Sequence, residues 1–323
     1  MMARRAEAAQ DDPAALRQAI IDALEAGTAA VGDISNSLAS APILAESPLH
    51  AVVFREVIGF NPADPAAVAA SARASIADLT MPPHVRLRLA PHAPYSVAPA
   101  LIGAIVADAH TRGERTSIHL GESADEVAFL AEGGGAWRAL LERRGVWPER
   151  WTAPGCGPVD YLDRLGVLSE QLLVVHGVQF SDADLRTLAA RGATLVTCPR
   201  SNLWVGVGPP PAERFFASGV RVAIGTDSLA STSDLNLFSE LALLHTLAPD
   251  VPPSRLLESA TRQGALALGF DDLGRLEPGA LARIIAIDLP IDVRNVEAYL
   301  VEGIEPTQIA WVPPATGPFA PVL

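Results

Sequence analysis

Short apolar runs rich in β-branched residues alternate along this chain with amphipathic stretches, and that order predicts parallel β/α units. Seven runs read as strands: TAAVGDIS (28–35), AVVFREVIG (51–59), VRLRLAP (85–91), RTSIHLGE (115–122), QLLVVHGV (171–178), ATLVTCPR (193–200) and RVAIGTDS (221–228). The stretches between them carry helix signals. Asp12 as N-cap, with Pro13 at the first helical position, predicts a helix over 13–26 ahead of the first strand. Asp64 and Pro65 open another, Pro99 to Arg112 form a third, Ser181 caps SDADLRTLAARG, and Asp234 starts DLNLFSELALLH. Strands that are apolar almost throughout, set among amphipathic helices, suit a sheet buried on both faces. The fold class expected is therefore α/β, as a TIM-like (β/α) barrel.

Two regions depart from this rhythm. Residues 124–168 exceed what one crossover needs and contain GGG, Trp137, Trp147 and Trp151, which predicts an inserted lid or pocket wall. After a helix over 253–268, the pattern changes to LGRLEPGALARIIAIDLP and VEAYLVEGIEPTQIAWV, which read as short strands outside the cycle. The expected division is a β/α barrel over 1–272 and a small accessory β unit over 273–323.

Composition narrows the function classes. Hydrophobic residues make up 49% of the 323, which excludes a disordered chain. A formal charge of −13 repels phosphate backbones, so nucleic acid is not an expected partner. No stretch of about 18 residues stays apolar without charges or prolines, so no membrane partner is expected. The start, MMARRAEAAQDD, lacks the apolar run of a secretory signal, and a cytoplasmic protein is the expectation. Cys156 and Cys198 are too few for a disulfide framework or a cysteine zinc site and read as reduced thiols. For assembly, a homodimer is the commonest state of soluble oligomers.

In a β/α barrel the chemistry sits at the carboxyl ends of the strands. His92 ends the third run, His119 and Glu122 the fourth, His176 the fifth and Asp227 the seventh. Any one of these alone reads as a hydrogen-bonded structural residue; Glu122 reads equally as a cap or surface carboxylate, and Asn202 as a turn residue after CPRS. Together at one mouth they would carry an unexplained desolvation cost unless they share a metal or catalytic site. A divalent ion such as zinc accepts imidazole nitrogen and carboxylate oxygen and makes hydroxide available near neutral pH. Asp227 suits ligation and proton transfer, Glu122 a proton shuttle if burial raises its pKa, and His176 orientation of the attacking oxygen.

SIHLGES, VVHGVQF, TCPRSNLWVG and IGTDSLASTSDLNLFSE, in this order and spacing, resemble the amidohydrolase superfamily, in its cytosine deaminase, guanine deaminase and triazine hydrolase branch. LAPHAPYSV resembles the substrate loop of S-adenosylhomocysteine and aminofutalosine deaminases. The resemblance implies metal ligands at His119 and Asp227, acid/base catalysis by Glu122, a hydroxide or substrate contact from His176, and a pocket that includes His92, Ser201 and Asn202. It implies a metal-dependent hydrolase of non-peptide C–N bonds, acting through metal-bound hydroxide on an aminopurine nucleoside or similar heterocycle, with zinc the first choice of metal and iron or manganese admissible. Members also carry an HxH pair on the first barrel strand, and this chain has no HxH. The expectation is thus a barrel lacking its first strand. The alternative is an N-terminally truncated, non-catalytic homologue that serves as a binding or oligomerisation partner.

Overall fold

Strand and helix boundaries follow from the caps and apolar runs of the sequence. A computed structural model describes residues 12–313; residues 1–11 and 314–323, which include most of the start read above and the end of the accessory unit, lie outside the described residues. Helix α1 (Pro13–Glu25) opens on Asp12, whose side chain accepts from the Ala14 N–H. The strands are β1 (Ala30–Ser35), β2 (His50–Val57), β3 (Val85–Pro91), β4 (Thr116–Leu120), β5 (Leu172–His176), β6 (Thr194–Thr197) and β7 (Arg221–Ile224). Between them lie α2 (Ser40–Ala45), α3 (Pro65–Ala77), α4 (Pro99–Thr111), α5 (Ala124–Glu132), α6 (Gly135–Arg143), α7 (Pro158–Arg164), α8 (Asp182–Arg191), α9 (Pro199–Trp204) and α10 (Ala212–Ala217). Ser181 caps α8 through a full capping box with Asp184.

All seven strands run parallel, hydrogen-bonded in the orders β1-β2-β3 and β4-β5-β6-β7. The two groups meet where the His119 N–H donates to the His92 carbonyl at 2.9 Å and the Thr116 hydroxyl donates to the Leu89 carbonyl at 2.8 Å. The register pairs Val57 with Pro91 and Leu120 with His176, which brings the carboxyl ends of neighbouring strands level.

Successive strand residues point to opposite faces. Ala51, Val53, Leu87, Leu89, Ile118, Val174, Leu195 and Val222 face the helices in the main core. Val52, Phe54 and Ala90 on one side, and Leu173 and Ala223 on the other, face inward onto Ala265, Ala267, Leu268 and Phe270. These belong to α13 (Arg262–Leu268) and the turn after it, so both faces of the strands are buried, as their apolar sequences require.

Two helix boundaries differ from expectation. Asp234 does not start α11, which runs Leu237–Leu247 behind Asn236 as N-cap; the Asp234 carboxylate is drawn instead into a fork with Arg200, at 2.7 Å to each of two guanidinium nitrogens. The helix expected over 253–268 is two, α12 (Pro253–Ala260) and α13, broken at Thr261, whose ψ of −91° leaves the helical range. Beyond them, β8 (Ile285–Ile287) and β9 (Ile309–Trp311) pair antiparallel, with α14 (Val296–Leu300) between. Trp311 anchors the pair by donating its indole N–H to the Leu24 carbonyl of α1 at 2.8 Å.

The inserted segment over 124–168 folds as α5, α6 and α7 and is fastened by aromatic rings. Phe60, after β2, stacks on Trp147 with centroids 5.8 Å apart, and Phe129 lies 4.9 Å from Trp151. Trp137 stacks on Tyr95 at 3.7 Å, and Tyr95 meets His92 edge-on at 5.6 Å. These three tryptophans are packing groups, with Trp137 reaching the strand ends through Tyr95. Trp204, by contrast, is 66% exposed.

Candidate active site

Strand parity places the inward-facing ends of three adjacent strands together. Glu56 follows Val52 and Phe54 on the inner side of β2, His92 follows Ala90 after β3, and His119 sits inward between Ile118 and Leu120 on β4. The His92 and His119 rings are 5.1 Å apart, and Glu56 Oε1 lies 3.8 Å from His119 Nδ1 and 4.0 Å from His92 Nε2. Glu56 Oε2 accepts from the Asn36 amide at 2.6 Å, across the end of β1. A cavity of about 620 Å³ opens beside Asn36, Arg55, Glu56 and Ser71.

By the same parity His176 belongs with Leu172 and Val174 on the helix side of β5. Its backbone, at φ 80°, is left-handed, and the strand alternation ends there. The ring lies 5.4 Å from that of His119, with Nε2 3.8 Å from Glu122 Oε1. Asn202 Nδ2 donates to His176 Nδ1 at 3.0 Å, which assigns the remaining proton to Nε2. Burial, with the neighbouring His119, pushes the His176 pKa down to about 3, so the ring is neutral near pH 7.

Asp227 is the other left-handed non-glycine residue in this region, at φ 60°. Its Oδ2 accepts from the Ser201 hydroxyl at 2.6 Å and its Oδ1 from the Ser228 N–H at 2.8 Å. Burial of the carboxylate works to raise its pKa, but the Ser201 hydroxyl and the His176 and His119 rings outweigh it and hold the group below the usual range. Ser201 and Asn202 are fully buried at the start of α9, which Glu240 anchors by accepting the Arg200 N–H at 3.0 Å.

Glu122 is not the cap of α5. Ser123 is, its hydroxyl accepting from the Glu126 N–H. Glu122 lies just beyond the end of β4, where burial raises its pKa and Asp227 adds to the effect, against the opposing pull of His119. The turn that presents it is tied down by Glu126, wholly buried, whose two oxygens accept from the Gly121 and Glu122 N–H groups at 2.8 and 3.1 Å. Gly121 has φ 63°, and a Cβ there would run into the Phe180 ring.

Burial raises the Glu126 carboxyl to about 8 despite those two N–H bonds. The folded chain therefore keeps a proton that the unfolded chain releases above its ordinary value of 4.5, and this group's contribution to stability falls as pH rises from 4.5 to about 8. Urea midpoints at pH 5 and pH 8 should show a larger loss in the wild type than in Glu126→Gln. Equal losses would contradict the assignment.

All seven residues expected at the site thus lie near one set of strand ends: His92, His119, Glu122, His176, Ser201, Asn202 and Asp227. Glu56, Glu126, Glu240 and Asn36 were not anticipated. The signal for Glu56 was a lone carboxylate in step with Val52 and Phe54 on the inward face of β2.

A family model described as Amidohydrolase family matches residues 7–312. The chain belongs to the amidohydrolase family. Among curated amidohydrolases it is 35% identical over 210 residues to a 5-methylthioadenosine/S-adenosylhomocysteine deaminase of Nitratidesulfovibrio vulgaris, a match spanning 63% of this chain and 43% of the relative. It is 33% identical over 238 residues to an aminodeoxyfutalosine deaminase of Deinococcus radiodurans, spanning 70% and 56%. A solved structure of an adenosine deaminase from Xanthomonas campestris with bound zinc superposes with a TM-score of 0.77 at 29% identity, covering 94% of this chain and 69% of that one. This chain therefore answers to less than half the length of the first of these relatives.

Proposed function

We propose that this amidohydrolase removes the exocyclic amino group of an aminopurine nucleoside by hydrolysis, using a divalent metal, zinc first. The observation that carries the reading is the convergence of three imidazoles, Glu122 and Asp227 at adjoining strand ends, backed by relatives named as deaminases of adenine nucleosides. The donor set fits the metal. His119 gives its Nδ1 proton to the His92 carbonyl at 2.9 Å, which fixes the ring and leaves Nε2 as a ligand. Asp227 offers a carboxylate kept ionised by its surroundings.

When bound, the ion supplies Lewis acidity that makes water a nucleophile near neutral pH. Asp227 accepts a proton from the attacking water, and neutral His176 orients that water through its Nε2–H. Glu122 gives its proton to a ring nitrogen as the water oxygen adds to the carbon; the proton held by Asp227 goes to the amine as the C–N bond breaks, and the proton left on the added oxygen returns to Glu122. His92, Ser201 and Asn202 supply the wall of the substrate pocket in this reading.

For the architecture, we infer that β1 to β7 curve into a TIM-like barrel with a seam between β7 and β1. Leu268 of α13 supports this, since it packs on Ala223 of β7 and close to Gly32 of β1. Residues 273–313 form the described part of an accessory β unit. A second reading, a homologue without turnover, is favoured by one observation: the sequence has no HxH.

Ammonia release decides between them. The purified chain with zinc is assayed on 5′-methylthioadenosine, S-adenosylhomocysteine and aminodeoxyfutalosine. Turnover of at least one supports the deaminase reading; zinc-loaded protein inert toward all three supports the second.

A further inference from the structure

The proposed chemistry leaves one wholly buried carboxylate without a task. Glu240, on α11, has no exposed surface. Burying a charge is costly unless it is matched. Its ion-pair partner among the described residues is Arg200. Oε2 accepts from the Arg200 backbone N–H at 3.0 Å, while Oε1 lies 3.8 Å from the Arg200 guanidinium.

Arg200 in turn joins the ends of two strands. Its backbone lies on α9, after β6, and its guanidinium reaches into the loop that follows Asp227 at the end of β7. There it forks onto Asp234, at 2.7 Å to each oxygen, and donates to the Ser233 hydroxyl at 2.7 Å. Successive helical residues turn by about 100°, so the two residues after Arg200 point away from that ion pair. They point at the site. The Ser201 hydroxyl donates to Asp227 Oδ2 at 2.6 Å, and Asn202 Nδ2 donates to His176 Nδ1 at 3.0 Å. Both contacts depend on how one short turn is seated. A hydrogen bond of 3.0 Å is lost by 3.6 Å, so a displacement of α9 by less than about 1 Å frees the His176 ring.

We propose that Glu240 is a positioning residue for the reaction. By holding the Arg200 N–H from behind, it seats the turn from which Ser201 and Asn202 orient Asp227 and His176. The inference rests on the deaminase reading for its kinetic consequence and on hydrogen bonds alone for its structural one.

The test measures ammonia release and the nitrogen NMR shifts of the His176 ring, the latter identified by their loss in His176→Gln. Wild-type His176 should show a single neutral tautomer with its proton on Nε2. Glu240→Leu removes the acceptor. It should lower kcat by ~10- to 100-fold with little change in KM, as a misplacement of about 1 Å does, and should give mixed His176 tautomers. Glu240→Gln keeps one oxygen to accept the Arg200 N–H and should restore the single tautomer and most of kcat. Circular dichroism melts show which variants fold. Should Glu240→Leu fail to fold, Glu240→Asp, one methylene too short for the N–H, takes its place with the same expected shifts.

A folded Glu240→Leu with wild-type kcat and His176 shifts overturns the proposal. So does a Glu240→Gln as impaired as Glu240→Leu, since the acceptor is then not what matters. Failure of the deaminase reading looks different: His176 shifts that follow Glu240 in a protein that releases no ammonia from any nucleoside.

Discussion

Asp227→Asn should lower kcat/KM for ammonia release by ~1,000-fold, within the range for loss of a general base, while the melting temperature stays near that of the wild type. Asparagine is the informative replacement. Asp227 sits at φ 60°, a conformation that asparagine tolerates and alanine does not, so Asp227→Ala would mix a backbone cost with the loss of the carboxylate. Asparagine keeps one oxygen to accept from the Ser228 N–H, while its NH2 takes the place of the oxygen that accepts from the Ser201 hydroxyl, so that contact survives only with Ser201 accepting; shape is kept and charge and basicity are lost. Comparison of kcat/KM and thermal melts for both variants separates the two effects. Near-normal turnover in a folded Asp227→Asn would remove this residue from the mechanism.

Glu122→Gln is expected to cost about 100- to 10,000-fold in kcat with little change in KM, because the group moves a proton rather than holding the substrate. Its position supports this. Burial raises its carboxyl pKa, Asp227 pushes it further, and His176 Nε2 lies 3.8 Å from Oε1, so it can hold a proton at a pH where an exposed glutamate cannot. The pH profile of kcat carries the decisive readout: the limb that reports this acid should vanish in the variant. A Glu122→Gln enzyme with a full profile and an altered KM alone would make Glu122 a substrate-binding group instead.

Much of this arrangement is legible in the sequence. The β-branched runs marked all seven parallel strands to within a few residues, because a strand buried on both faces must be apolar almost throughout, and its polar residues then stand out at the ends. His92, His119 and Asp227 stand out in that way. Glu56 does not, because a search centred on histidines passes over a carboxylate three residues before the end of the run over 51–59, although its parity with Phe54 points to the same face. Tertiary pairing also escaped the sequence. Asp234 has the composition of a helix start, but Arg200, far away in the chain, claims its carboxylate and the cap falls to Asn236. The tryptophans of the insert, read in the sequence only as part of a lid or pocket wall, take their packing roles from distant partners, Phe60, Tyr95 and Phe129.

The left-handed backbones of His176 and Asp227 were invisible for a different reason, since nothing in VVHG or GTDS marks them as departures from strand geometry. A left-handed conformation costs a side-chain-bearing residue roughly 1–2 kcal/mol, which glycine avoids. Glycine at 176 and 227 would relieve that backbone cost and would dismantle the proposed chemistry as it did so. Robustness and reactivity compete at the same two backbone positions.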